Sequence, residues 1–84
     1  MTQDEKLLAR MRNNPRNWTI ADLKRIANRY GIDFRQPGTS HVTFSFPAVI
    51  PVTVPADRRI KPIYIKLFLA MIDAVEAQKD ETDG

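Results

Sequence analysis

The sequence predicts an α+β fold, with three antiparallel strands and helices on one face of the sheet, in the order α-α-β-β-β-α. Two observations carry this prediction. Apolar residues recur at helical spacing up to Tyr30, alternate with polar ones from Ile32 to Val54, and return to helical spacing after Pro62. Turn and breaker residues fall at the changes of period and between the alternating segments: Asn13-Asn14-Pro15, Gly31, Pro37-Gly38, Pro47 and Pro55.

The first helix is expected over Gln3 to Asn13, with Leu7, Leu8 and Met11 on one side, and Pro15 ends it because the residue before proline avoids the α region. Thr19 is a good N-cap for the second helix, and Asp22 three residues on completes an approximate capping box. Ile20, Leu23, Ile26, Ala27 and Tyr30 form its apolar stripe, and Gly31 supplies the left-handed stop. Trp18, just ahead of the cap, fits a hydrophobic staple onto Leu23 better than a base-stacking role.

Ile32 and Phe34 alternate with Asp33 and Arg35, which reads as a short strand. From His41 to Phe46 the alternation is strict, with Val42, Phe44 and Phe46 on one face and His41, Thr43 and Ser45 on the other. Pro47 and Pro51 are expected to bracket a loop before a third strand marked by Ile50, Val52 and Val54. Pro62 suits the first position of a last helix running to about Ala77, roughly 24 Å long. From Ile63 to Ile72 that helix has a wide apolar arc broken by Lys66, which reads as a central helix or one that keeps a protein-facing surface. The expected organisation is one domain over residues 1–77 and an acidic, disordered tail over 78–84.

Composition excludes several classes. The 84 residues contain no cysteine and one histidine, so thiol chemistry, disulfides and the usual zinc sites lack their side chains. No apolar run approaches the ~20 residues of a membrane span, and the charged start lacks a signal-peptide core, so a cytoplasmic domain with no membrane partner is expected. Residues 1–72 carry twelve Lys/Arg against five Asp/Glu, while residues 73–84 carry Lys79 against five acids, so a net +3 hides a body of +7. A basic body of this size favours a polyanionic partner such as nucleic acid.

The candidate chemistry centres on Gly38-Thr39-Ser40-His41, a glycine turn that presents a histidine at the start of a strand. Imidazole moves protons near neutral pH, and turn ends beside a sheet face often carry function. Ser40 lacks the arrangement for a catalytic triad, since its neighbour His41 is the sole histidine. Asp22, Asp33 and Asp57 lie on different elements, and no Walker A or dinucleotide motif is present, so no metal and no cofactor is expected. Arg58, Arg59 and Lys61 meet the positive end of the last helix and form a candidate phosphate site. Lys24, Arg25 and Arg29, with Arg16 before them, either track a nucleic-acid backbone or solvate the outer side of the second helix.

Asn17-Trp18-Thr19-Ile20-Ala21-Asp22-Leu23-Lys24, the helix end Tyr30-Gly31, then Gly38-Thr39-Ser40-His41-Val42-Thr43-Phe44, Val52-Thr53-Val54-Pro55 and Arg59-Ile60-Lys61-Pro62 together resemble the HicA family of type II toxin–antitoxin toxins. The resemblance covers roughly residues 16 to 76. It implies a double-stranded-RNA-binding-like fold, endoribonuclease activity on mRNA that arrests growth, and neutralisation by a HicB-type antitoxin protein. It also implies that His41 is the catalytic residue and Gly38 supports its turn. The chain departs from many members by one extra residue in the Gly-Thr-Ser-His turn, and from the shortest by the helix over 3–13. Arg35, Ser40, Thr43, Arg58, Arg59 and Lys61 are the candidate RNA contacts. Two other readings stay open: a non-catalytic double-stranded-RNA-binding module, and a protein-interaction module built on the apolar 63–72 stretch.

Overall fold

The computed structural model describes residues 3–38 and 40–83; Met1, Thr2, Thr39 and Gly84 lie outside the described residues, as do the side chains after Lys79. The element order is α1 (Gln3–Asn13), α2 (Ile20–Tyr30), β1 (Asp33–Arg35), β2 (His41–Phe46), β3 (Val49–Pro55) and α3 (Pro62–Asp83). The strands form one antiparallel sheet in the order β1-β2-β3. The fold is therefore α+β with the predicted order. Among the described residues no helix is long and apolar enough to cross a membrane.

Alternation decides the layers. Val42, Phe44 and Val54 are buried on the inner face of the sheet, while His41, Ser45 and Thr53 are exposed on the outer face. Against the inner face α3 sets Ile65, Phe68, Ile72 and Val75, residues repeating at helical spacing. Phe44 meets Phe68 edge-on at 5.0 Å between centroids and Phe34 at 5.9 Å, so a ring from each of β1, β2 and α3 shares one cluster. α2 adds Leu23, Ile26 and Ala27, and α1 adds Leu8 and Met11. The N-terminal helix is thus part of the core.

The α2 boundaries follow their residues closely. Thr19 Oγ1 accepts from Asp22 N, and Asp22 Oδ2 accepts from Thr19 N, completing the box. Gly31 has φ 71°, its N–H and that of Ile32 return to Asn28 O and Ala27 O, and Ile32 buries itself beside the helix end. That is a Schellman stop, which needs the left-handed residue glycine supplies.

Two expectations are corrected. β3 begins at Val49, and Phe46 pairs with Val49, so Pro47-Ala48 is a two-residue turn and not the start of a loop reaching Pro51. Proline at the first turn position and Ala48 with φ 65° at the second fit a type II turn, and Pro51 is tolerated because β3 is an edge strand. The last helix runs past Ala77 to Asp83, so most of the 78–84 stretch expected as a disordered tail is helical. No glycine or proline interrupts it, Gln78 Nε2 donates to Ala48 O at 3.5 Å, and Lys79 Nζ donates to Tyr30 O at 3.0 Å. Lys79 thereby caps the end of α2. Gly38, named for the turn before His41, has a φ outside the left-handed region, and an added Cβ there would meet nothing within 4 Å. The described backbone around His41 does not require glycine.

Candidate nucleic-acid interface

Register builds the outer face row by row. Arg35 of β1 pairs with Thr43 of β2, which pairs with Thr53 of β3, so these three side chains form a row across the sheet. Thr43 and Thr53 share a hydroxyl hydrogen bond of 3.0 Å. One step along β2 towards its start, His41 stands opposite Pro55; one step the other way, Ser45 stands opposite Asp33. Same-face neighbours along a strand are about 7 Å apart, and diagonal cross-strand pairs about 7–8 Å. His41 thus has Thr43 beside it and Arg35 on the diagonal. Its imidazole is exposed and makes no hydrogen bond among the described residues.

The chain then folds back to the same end of the sheet. Ala56 N donates to Ser40 O at 2.8 Å, extending the β2–β3 pairing one step past His41 and starting the loop that carries Arg58, Arg59 and Lys61. All three cations are exposed and have no acidic partner among the described residues. The loop ends at α3, whose first turn is closed by Tyr64 N and Ile65 N donating to Lys61 O. A cationic segment at a helix N-terminus, next to an open imidazole, has the groups a phosphodiester site needs: cations able to hold an anion and an imidazole able to move a proton.

One element of this arrangement was invisible in the sequence. Trp18 and Ile60 form an isolated antiparallel bridge, with Ile60 N donating to Trp18 O at 2.8 Å. It pins the basic loop to the bend before α2. Trp18 is buried in the core with Leu23, as the staple requires, and its Nε1 donates to Asn14 O at 2.6 Å. That burial removes it as a stacking platform for a base.

The cations of α2 are arranged differently. Arg25 Nε lies 2.7 Å from Asp4, Arg29 lies 3.5 Å from Glu5, and Lys24 donates to Gln36 at 2.8 Å while sitting over the Phe34 ring. On the neighbouring side Arg12 lies 2.6 Å from Asp73, and that hydrogen bond raises its already high pKa. The set that could have tracked a backbone is engaged within the fold, and Arg16 stands apart from it on the Asn14–Trp18 bend.

The wide apolar arc of α3 resolves into two parts. Its inner stripe fills the core, while Ile63 and Leu67 stay 63% and 48% exposed. Leu67 and Ala70 flank an apolar groove of about 430 Å³ with Val49 and Ile50 of β3, and Ile50 is 85% exposed. No group of three or more His, Cys, Asp or Glu side chains gathers among the described residues. Comparison with known proteins finds no matching family model, no matching curated protein and no matching solved structure.

Proposed function

We propose that the chain is an endoribonuclease toxin of the HicA type, cleaving mRNA with His41 as its proton-moving group. The observation that carries this reading is the meeting, at one end of an open polar sheet face, of the sole histidine and a cationic loop without acidic partners among the described residues.

In this reading the RNA backbone lies against the outer face. His41 takes the proton from a ribose 2′-OH, and the 2′-oxygen attacks the adjacent phosphorus as the P–O5′ bond breaks. The products are a 2′,3′-cyclic phosphate and a 5′-OH end, the 5′-oxygen taking its proton from water or from the protonated imidazole. Arg35, Arg59 and Lys61 stabilise the charge that builds on the phosphate, Arg58 and the Ser40 and Thr43 hydroxyls contact the strand, and no bound cofactor enters any step. The exposed Ile50, Ile63 and Leu67 suit a protein partner such as a HicB-type antitoxin.

The test is tightly controlled expression of wild type and His41→Ala, with growth and mRNA integrity followed together. Growth arrest with cyclic-phosphate ends in wild type, and neither in the folded variant, supports the proposal. Intact mRNA in both, with RNA still bound, would favour the non-catalytic binding module.

A further inference from the structure

A second recess lies beyond the Trp18–Ile60 bridge. It has a volume of about 520 Å³ between the last turns of α1 and the Asn14–Trp18 bend. Leu7 and the buried Trp18 are its apolar lining; Arg10, Asn13, Arg16 and Asn17 bring polar side chains to it.

Two features make this recess suited to an anion. First, its charge is unspent. Arg12, Arg25 and Arg29 each have a carboxylate partner, whereas the guanidinium groups of Arg10 and Arg16 have none among the described residues. The one acid lining the recess is Asp22, whose carboxylate accepts from both Thr19 N and Thr19 Oγ1 in the capping box. Second, the bend is held in place. Asn14 O accepts from Trp18 Nε1, Asn14 Oδ1 accepts from Arg16 N at 3.2 Å, and Asn17 takes a left-handed φ of 65°, which asparagine tolerates. Donors on a fixed bend lose little freedom when they bind.

Position supplies the ligand class. The Ser40–Ala56 hydrogen bond joins the His41 end of the sheet to the Arg58–Lys61 loop, and the Trp18–Ile60 bridge joins that loop to the bend. Cations without acidic partners among the described residues therefore lie on each segment that these contacts join: Arg59 and Lys61 on the loop next to the His41 end, Arg16 on the bend and Arg10 on α1. We infer that the recess anchors a backbone phosphate of the RNA strand several nucleotides from the P–O5′ bond that breaks beside His41. This rests on the ribonuclease reading and extends it, with α1 serving as part of the substrate-binding surface.

The test uses 2′-O-methyl RNA, which lacks the attacking hydroxyl, with the otherwise wild-type chain. Anisotropy titrations over a range of salt compare strands of about 5 and about 15 nucleotides. Arg10→Ala/Arg16→Ala is expected to weaken the longer strand about tenfold and to lower its salt slope by about 0.7–1.4, as for one or two lost phosphate contacts. The short strand should bind as before, and Arg10→Lys/Arg16→Lys should restore most of the loss. Both arginines are exposed, and circular dichroism checks that the variants fold. Unchanged binding of both strands, with Arg58→Ala/Arg59→Ala/Lys61→Ala weakening both, overturns the inference and leaves the ribonuclease reading standing. Failure of wild type to bind either strand removes both.

Discussion

The flank built by α1, α2 and α3 and the end of the sheet at His41 are both rich in Lys and Arg, and the fold treats them in opposite ways. On the flank, Arg25 and Arg29 are matched by Asp4 and Glu5 of α1, and Arg12 by Asp73 of α3. At the sheet end Arg35, Arg58, Arg59 and Lys61 stand exposed without such partners among the described residues. A count of charges cannot tell these sets apart, because the acids that quench the flank come from residues far away in sequence. Net charge says that a polyanion would be attracted; the pairing says where it would sit.

The most severe way to break this contrast is at its single imidazole. His41→Ala should lower RNA cleavage by about a hundredfold or more, the usual scale for losing a general base. Folding should survive, since His41 is exposed and makes no hydrogen bond among the described residues. Residual cleavage near the wild-type rate would show that the proton moves elsewhere.

Next in size is a direct exchange of the two basic sets. Arg58→Ala/Arg59→Ala/Lys61→Ala should reduce RNA affinity by tenfold or more and flatten its salt dependence, while Arg25→Ala/Arg29→Ala should change affinity less than threefold. Arg25 is exposed and its partner Asp4 is half-buried, so losing Arg25 should cost about 1 kcal/mol of stability in a denaturant titration. Equal loss of RNA binding in the two variants would mean that RNA wraps the flank as well as the sheet end.

Much of this was readable before the fold was seen, and what was missed has physical causes. The α2 boundaries were legible because a capping box and a glycine stop are local chemistry, settled within four residues. The inward face of β2 was legible because its period is 2. His41 was legible as a candidate because no other imidazole competes with it. The short turn at Pro47-Ala48 was hidden because two prolines four residues apart read as breakers, and only strand order reveals that Pro51 lies on an edge. The length of α3 was hidden because its last turns are held by Ala48 and Tyr30, residues remote in sequence. The Trp18–Ile60 bridge was hidden for the same reason, since a single backbone pairing leaves no pattern.

Two glycines sharpen the same contrast on a scale of about 1 kcal/mol. Gly31 closes α2 on the paired flank at φ 71°, where any Cβ is strained even though nothing lies within 4 Å of it. Gly31→Ala should destabilise by about 1 kcal/mol. Gly38 belongs to the His41 turn, has ordinary φ and open space around it, so Gly38→Ala should stay within about 0.5 kcal/mol of wild type. Thermal or urea melts of the two variants decide this. A large loss at Gly38 would show that the turn is held by more than the described backbone.

The finest test lies in the alkaline range and concerns the flank alone. Tyr30 ends α2, where Lys79 donates to its carbonyl and lies 5.6 Å from the ring centre. Partial burial raises the pKa of its phenol, and the negative charge of Glu76 beside it adds to the rise. A folded-state value above the unfolded one means that the fold favours the neutral phenol. That contribution is fully present below the ordinary phenol value of about 10 and is lost as pH rises through the folded-state value. Stability against urea should therefore fall above about pH 10, and Tyr30→Phe, which cannot ionise, should make that fall shallower while leaving RNA binding at neutral pH unchanged. An equally steep alkaline fall in Tyr30→Phe would remove the phenol as its cause. A loss of neutral-pH RNA binding would instead tie the flank to the binding surface, against the separation seen in the charges.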